Sequence, residues 1–534
     1  MHDSHHSPAS SSPTAALIGF GIALAAYAAA AAAGWPQYGR DLLVAAQAAH
    51  HEAHEDHAAA EHVPDAAGHG ETDDGGHSAG GPPPAWAVIP FMVLLGAIAV
   101  LPLTPPLAHW WEHNSSKLLV AGTLGLITLG YYLLLHREAV ELHFPAHSVV
   151  APAVGGPSWG VAAAVLANAL LSEYVPFIML LLALYVITGG VRIEGDLEAT
   201  PTVNATFLGI GATAASFIGT TGAAMLLIRP LLETNQQRRS VVHTLVFFIF
   251  MVCNCGGCLL PIGDPPLFLG YLQGVDFLWT MSLWKEWLFT NGLLLAIYWV
   301  WDAFFAYPRE RTSDIVRDVH RAGTLRISGL ALNAPLMLGV IAAVGLLDPS
   351  KAIPGTGWHP WIFLREAVLL ALVIASLALG SREIRVKNGF TYFAILEVAA
   401  LFVGIFVCMQ PALSLLNEHG ASLGIQSPQA FFWATGALSA VLDNAPTYLV
   451  FFKTAQSLPA DGTLMAGVEV GRLACISLGA VFLGAMTYIG NGPNFMVKAI
   501  AEQAGVRMPS FFGYLVYSVG VLLPVFAVMA FLFF

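Results

Sequence analysis

The chain has 534 residues, of which 56% are hydrophobic and only 10% are charged, and its mean hydropathy is +0.68. A soluble domain carries about 25% charged residues, so this chain lacks the polar surface to cover itself in water. The composition therefore excludes an ordinary soluble enzyme and predicts an all-α polytopic membrane protein. The formal charge is −12, which excludes the basic surface of a nucleic-acid-binding protein.

The N-terminal part of the chain predicts two segments that differ from the rest. The first, 1–46, contains an apolar stretch at 15–33 that predicts either a retained anchor or a cleaved signal, because no Lys or Arg precedes it. The second, 47–85, is rich in His and acidic residues and predicts a disordered linker. Its histidines suggest a weak site for zinc, copper or nickel, and a linker without metal is the alternative. The histidines in question are His50, His51, His54 and His57.

The remaining apolar stretches predict one transporter domain over 86–534. About 20 apolar residues span a bilayer as a helix, because a helix satisfies its own backbone hydrogen bonds. The segment 159–172 is too short to span, and we expect it to lie at the membrane interface. The predicted spans are 86–104, 117–135, 175–191, 241–273, 284–306, 327–346, 361–380, 390–409, 467–490 and 510–534.

The Arg-rich loops predict the orientation, since Lys and Arg concentrate in short cytoplasmic loops. The densest loop is 309–326, and counting spans from it places Arg192, 238–239 and 382–387 on the cytoplasmic side as well. This count holds only if the interrupted apolar stretch that follows Arg192 enters and leaves on one side. The two interrupted stretches, predicted as re-entrant hairpins, are 203–235 from the cytoplasmic side and 428–456 from the outer side.

Two hairpins of opposite orientation predict an inverted repeat. The sequence IGDPPLF at 262–268 matches IGNGPNF at 489–495, and TGAAML at 221–226 matches NAPTYL at 444–449. These matches occur in the same order at a nearly constant offset. The two repeats are placed at 159–306 and 361–534.

The motifs Gly-Asp-Pro-Pro at 263–266 and Gly-Asn-Gly-Pro at 490–493 predict breaks within membrane helices, because Pro removes a backbone donor and Gly weakens a helix. A break exposes carbonyls and amides, which is tolerated only against protein or a wet cavity. Exposed carbonyls suit a cation and half-helix N-termini suit an anion, so the breaks predict a binding site, with plain Pro kinks as the alternative. The predicted ligands are Thr220, Thr221, Asn254, Asp264, Asp443, Asn444, Thr447, Thr487, Asn491 and Asn494.

Asp264 and Asp443 are the predicted proton-coupling residues. A charge at the membrane midplane costs about 2.5–3.5 kcal/mol, so such a residue is usually functional. Because burial disfavours the ionised form, either carboxyl can hold a proton or a sodium ion, and that competition is the chemistry of antiport. For Asp443 the alternative is an N-cap on the second arm of its hairpin, a role that can coexist with ion binding.

Three other polar features have weaker claims. Glu397 lies in the middle of a predicted span and either pairs with another helix or provides a second proton site. His243 favours a structural role over a proton shuttle. The Cys-x-Cys-x-x-Cys run at 253–258 lies beside two glycines, which favours close helix packing over a metal site.

The sequences GTTGAAML at 219–226 and LDNAPT at 442–447 resemble the hairpin tips of the ion transporter superfamily. That group includes citrate-transporter-like proteins, arsenite pumps, dicarboxylate carriers and sodium/proton antiporters of the NhaD type. The resemblance covers 86–534, and the Asp-Asn-x-Pro tip is most similar to the antiporter and arsenite branches. Dicarboxylate carriers have Ser-Asn-Thr at both tips, and this chain departs from that pattern.

The resemblance implies a pseudo-two-fold scaffold with a moving transport domain, elevator-type alternating access and often a homodimer. It also implies that the hairpin tips at 220–221 and 443–444 hold the ion. The breaks at 263–264 and 490–491 would complete the site.

These observations predict a secondary transporter of the bacterial inner membrane that exchanges Na⁺ or Li⁺ for H⁺. It is expected to need no cofactor and to catalyse no reaction, since the sequence contains no nucleotide-binding P-loop. The alternatives are a sodium-coupled citrate or carboxylate carrier, an arsenite-type exporter, and a membrane-bound metal sensor or enzyme that uses the His-rich linker. The expected partners are small inorganic ions, the lipid bilayer and, through the resemblance, a second copy of the chain.

Overall fold

A computed structural model describes residues 13–46, 82–145, 148–321, 323–459 and 462–534. In this part of the chain nearly all regular structure is helical, and the strands form three short antiparallel pairs. Five described helices are long and apolar enough to cross a membrane, and two sharply bent helix pairs raise the number to seven. The predicted all-α polytopic membrane protein is confirmed.

The α-helices of the first half are Pro13–Ala32, Ile89–Val100, Pro105–Trp111, Asn114–Leu134, Trp159–Ala167, Val175–Thr188, Pro201–Ile218, Thr220–Thr234, Val242–Met251, Pro265–Leu272, Trp284–Trp301 and Thr312–Arg321. Those of the second half are Leu330–Leu346, Leu364–Leu379, Arg382–Lys387, Phe393–Cys408, Gln410–His419, Pro428–Ser439, Asn444–Gln456, Val470–Leu483, Gly492–Gln503, Phe511–Tyr517 and Leu523–Phe533. The paired strands are Val140–Leu142 with Ser148–Val150, Arg192–Glu194 with Arg326–Ser328, and Leu464–Met465 with Val468–Glu469.

Short helices of other types join or precede the α-helices. The 3₁₀ segments are Ala85–Val88, Leu101–Leu103, Cys255–Cys258, Trp279–Leu283, Tyr307–Arg309, Gly420–Leu423 and Gly484–Met486. The π-helical turns are Asn168–Tyr174, Asp302–Ala306 and Ser518–Leu522.

One π-turn corrects the prediction for 159–172. Asn168–Tyr174 joins the helices on either side of it, so Trp159–Thr188 forms one apolar helix of 30 residues, long enough to span. The interfacial prediction was wrong because it treated 159–172 as a separate segment, too short to span, that ends before the next helix begins. Pro176 lies in the first turn after the π-turn, where the wider winding accommodates a residue without an N–H group.

The Arg-bearing loops meet at one end of the molecule, which we call the basic face. Arg192 donates from Nη1 to the carbonyl of Lys387 at 2.9 Å, and the strand that contains Arg192 pairs with Arg326–Ser328. Asn204 and Asn235 lie at the two ends of the helix pair Pro201–Ile218 and Thr220–Thr234, and they exchange two hydrogen bonds of 2.8 Å. Both ends of this pair, the first hairpin, therefore lie at the basic face, as the loop count requires.

The two interrupted regions have the same local geometry. Asp264 has φ −143° and ψ 142°, and Asn491 has φ −153° and ψ 138°; each immediately precedes a short helix with Pro in its first turn. A Cβ atom on Gly263 would lie 2.3 Å from the Gly257 carbonyl oxygen, and one on Gly490 would lie 2.6 Å from the Gly484 oxygen. This agreement supports the inverted repeat, whose bounds stay predictions.

The N-terminal helix Pro13–Ala32 packs against Leu364–Leu379. Tyr27 donates its hydroxyl to the carbonyl of Ile362 at 3.1 Å, and the Ile362 amide donates to the Pro36 carbonyl at 3.4 Å. The choice between anchor and cleaved signal stays open. The His-rich linker, with His50, His51, His54 and His57, lies outside the described residues.

Gly263→Ala should destabilise the protein, because the added methyl group would overlap a backbone oxygen that cannot move aside. Overpacking of this kind lowers the free energy of unfolding by about 1–3 kcal/mol or more, so we expect a clearly lower temperature of unfolding in detergent. The measurement is the fraction of protein that remains monodisperse after heating. Gly492→Ala is the matched control, since no atom lies within 4 Å of its added Cβ; equal stability of the two variants would contradict the close approach.

Candidate ion-binding site

Asp264 is buried at the first break, with 1% of its surface exposed. It precedes the helix Pro265–Leu272, yet its side chain does not cap that helix. The carboxylate instead accepts hydrogen bonds from Thr220 Oγ1 at 2.8 Å, from Asn491 Nδ2 at 3.1 Å and from Asn444 Nδ2 at 2.6 Å. Asp264 therefore joins the tips of both hairpins and the second break.

The local sequence explains how Thr220 reaches this carboxylate. Gly219 links the two helices of the first hairpin with φ +79°, a conformation that favours glycine. The next amide, of Thr220, donates to the carbonyl of Gly263 at 2.8 Å, a carbonyl that the break leaves without a helical partner. The tip of the first hairpin is thus bonded to the first break through both the backbone and the side chain of Thr220.

Three asparagines hold the two breaks together. Asn254 Nδ2 donates to Asn494 Oδ1 at 2.7 Å, and Asn491 Nδ2 donates to the Cys253 carbonyl at 3.0 Å. Asn494 Nδ2 in turn donates to the carbonyls of Gly484 and Thr487, at 2.9 Å each. These side chains link the two breaks and satisfy backbone carbonyls that the breaks expose. Asn254 and Asn494, which the sequence predicts as ion ligands, therefore have structural contacts in this site.

The amide of Asn444 leaves one polar atom unsatisfied. Asn444 is 1% exposed, its Nδ2 donates to Asp264, and its Oδ1 lies buried without a hydrogen-bond donor in the described part of the chain. A buried acceptor without a partner is costly, so it calls for a ligand or water. A carbonyl oxygen beside a carboxylate is the donor set that a hard cation prefers.

Asp443 lies beside this site with a different set of contacts. The residue is partly exposed, and its carboxylate accepts from the Ala445 amide at 3.0 Å, which makes it the N-cap of the helix Asn444–Gln456. Thr447 Oγ1 donates back to the Asp443 carbonyl at 2.9 Å. No hydrogen bond joins Asp443 to Asp264 in the described structure, although the next residue, Asn444, donates to Asp264. The capping alternative is thus observed, and proton coupling by either residue stays a prediction.

A cavity of about 80 Å³ leads to Asp264 from the side of the first hairpin. Its walls come from the hairpin tip, the first break and the two helices Val175–Thr188 and Phe393–Cys408, and they include Thr220 and Thr221. Among the residues that the structure describes, no Lys, Arg or His lines it, and most of the wall is apolar. Organic ligands usually occupy about 300–1,000 Å³, so this cavity suits a small cation or a proton.

The weaker sequence features have structural partners. Glu397 Oε1 accepts from Lys117 Nζ at 2.6 Å across two helices, and His243 Nε2 lies 3.0 Å from Asp302 Oδ1. A Cβ on Gly256 would lie 2.5 Å from the Ala212 oxygen, which is the close packing expected at 253–258. Within the described residues no group of three or more His, Cys, Asp or Glu side chains could hold a metal ion. No sequence pattern indicated Lys117 as the partner of Glu397.

Comparison with known protein families places this chain. A family model described as "Putative citrate transport" matches residues 136–534. The chain belongs to this family. No curated protein matches it.

Membership of the citrate-transport family confirms the predicted citrate-transporter-like resemblance and a multi-pass membrane transporter of the secondary type. The matched region contains both hairpins and both breaks and begins just after the helix Asn114–Leu134. The similarity to NhaD-type antiporters, drawn from the Asp-Asn-x-Pro tip, stays a prediction. So do the site residues, including Thr221, Thr447 and Asn491.

Asn494→Leu should destabilise the protein, because it removes the donor that two break carbonyls share. Each buried carbonyl left unpaired costs about 1–3 kcal/mol, so we expect a loss of several degrees in thermal midpoint. Thr221→Val is the matched control, since Thr221 is a half-buried tip residue whose side chain has no hydrogen bond within the described structure. A midpoint unchanged in Asn494→Leu would show that the breaks do not depend on this amide.

Proposed function

We propose that the protein is a secondary transporter that exchanges Na⁺ or Li⁺ for H⁺, and that Asp264 holds either ion in turn. The observation that carries this proposal is a buried carboxylate with three neutral donors. Within the described part of the chain, the carbonyl oxygen of Asn444 beside it has no partner, and its cavity contains no cationic side chain. A site of this kind attracts one positive charge, since a buried carboxylate whose charge is not neutralised is costly in free energy.

The exchange follows from the charge of the site. An empty, ionised Asp264 would carry an uncompensated charge through the low-dielectric interior, whereas a proton or a sodium ion neutralises it. Only the forms of the site that hold an ion then cross the membrane at a useful rate. The site therefore moves inward with one ion and returns outward with the other. Thr220 and Asn444 approach Asp264 from different hairpins, so the tips of both hairpins contact the carboxylate that holds the ion.

Asp264→Asn should abolish exchange, because the amide can neither take up a proton nor neutralise Na⁺. The measurement is the internal pH of proteoliposomes that contain a pH-sensitive dye, after NaCl is added outside. The wild-type protein should make the interior more alkaline as protons leave. Asp276→Asn, at an exposed carboxylate that pairs with Lys351, is the control and should behave like the wild type. Exchange that persists in Asp264→Asn would remove this residue from the mechanism.

Asp443→Asn should weaken Na⁺ binding without abolishing exchange. Asn is as good an N-cap as Asp, so the helix Asn444–Gln456 should remain intact while one negative charge is lost near Asp264. The expected result is an apparent KM for Na⁺ raised about fivefold, an electrostatic effect of ~1 kcal/mol. A complete loss of transport with normal thermal stability would instead make Asp443 a direct ion carrier.

Cation-coupled carboxylate transport is the second candidate, because the family description names citrate. The described residues that line the cavity include no Lys, Arg or His, so a carboxylate substrate would need a bound cation to neutralise it, and such transport would depend on Na⁺ or H⁺ at Asp264. The same vesicles discriminate between the candidates. A carboxylate carrier accumulates labelled citrate when Na⁺ or a pH gradient is applied, whereas an antiporter changes internal pH on NaCl addition without citrate.

A further inference from the structure

The helix Thr312–Arg321 lies on the basic face with its acidic side against the protein. Asp318 Oδ2 accepts from the amide of Ala199 at 2.7 Å, and Asp314 Oδ2 accepts from Arg239 Nε at 3.2 Å. Ala199 directly precedes the first hairpin and Arg239 follows it. The helix is therefore fastened to both ends of the first hairpin.

The other side of this helix carries exposed apolar side chains. Val316 and Val319 are 49% and 50% exposed and lie three residues apart, so they share one face of the helix. Leu325 and Ile327, on the segment that follows, are 40% and 52% exposed. Val316 and Val319 form an apolar strip that the described structure leaves uncovered, and an apolar strip beside polar side chains is typical of a binding surface.

Arginines without partners flank the strip. Arg309, Arg311 and Arg317 are exposed and form no ion pair with any residue that the structure describes. Arg326, on the strand beside Arg192–Glu194, is exposed as well. This surface of the protein is therefore apolar in its centre and positive at its edges. It complements a partner that has negative groups above an apolar layer.

The position of the helix relative to the preceding span identifies that surface. Val300, Phe304 and Phe305 are 46%, 65% and 56% exposed near the end of the apolar helix Trp279–Arg309, as expected for side chains that face lipid. The exposed apolar side chains of this span stop just before Arg309. The helix Thr312–Arg321 thus begins where the span leaves the bilayer, at the height of the lipid head groups.

We propose that the helix Thr312–Arg321 docks onto the membrane surface and binds anionic phospholipid. Val316 and Val319 enter the boundary between head groups and acyl chains, while Arg311 and Arg317 contact lipid phosphates, the usual arrangement of an interfacial amphipathic helix. The basic face, which the positive-inside rule assigns to the cytoplasm, is also the side where anionic lipid is enriched. This inference does not depend on which ion the protein transports.

The test uses the full-length protein with a fluorescent probe on Val316→Cys. All five native cysteines are buried, so a polarity-sensitive maleimide dye should react with the new cysteine. The labelled protein is reconstituted in vesicles of phosphatidylcholine alone, or of phosphatidylcholine and phosphatidylglycerol in equal parts, with and without spin-labelled lipid as quencher. We expect emission at shorter wavelength and stronger quenching in the anionic vesicles.

Charge variants separate lipid binding from mere proximity to the membrane. Arg311→Gln with Arg317→Gln should lower the docked fraction in anionic vesicles, by about fivefold in the docking equilibrium for each arginine removed. Lys285→Gln with Lys351→Gln, at exposed lysines away from the basic face, is the matched control and should leave the emission unchanged. Size-exclusion profiles identify any variant that fails to fold.

Two results would overturn the proposal. A probe at 316 that reports water in both kinds of vesicle would show that the helix does not dock. If the probe is shielded from water to an extent that depends on the protein-to-lipid ratio but not on lipid charge, the helix contacts a second copy of the chain instead of lipid.

Discussion

Breaking a helix inside a bilayer leaves backbone carbonyls and amides without water, and the rest of this structure depends on how those groups are satisfied. Side chains supply the missing partners: Asn494 binds two carbonyls of the second break, and Asn491 binds a carbonyl of the first. The Asn491 bond and the bond from Asn254 to Asn494 join the two halves of the chain, whereas Asn494 and its two carbonyls lie in the same half. Buried polar contacts therefore link the two breaks to each other.

This arrangement gives Asp264 its unusual neighbourhood. The donors that surround its carboxylate are neutral and come from three separate segments, at Thr220, Asn444 and Asn491. Neutral donors stabilise a charge without cancelling it, and this is why the proposed function assigns a small cation to the site. By contrast, the buried acid Asp302 is paired with Arg238 and lies beside His243, as expected for a charge that only holds loops together.

Local sequence signals predicted the breaks, because Pro265 and Pro493 cannot continue a regular helix whatever surrounds them. They also located Asp264, since an acid beside such a break has few purely structural uses. The roles of Asn254 and Asn494 could not be predicted from local sequence. The two residues are more than 200 positions apart, and the carbonyl of Gly484 lacks a helical partner only once the break has formed. The prediction for 159–172 failed because no sequence pattern indicated the π-turn that joins this segment to the next helix.

Thr220 has a mechanical consequence, because it is bonded to Gly263 through its amide and to Asp264 through its hydroxyl. A lid that swung away at its tip would have to break both bonds in an apolar medium, where no water replaces them. Moving the hairpin and the broken helix together as one rigid block breaks neither. For the exchange proposed above, we therefore expect this block, rather than the hairpin tip alone, to move along the neighbouring helices when the carboxylate is exposed on one side and then the other.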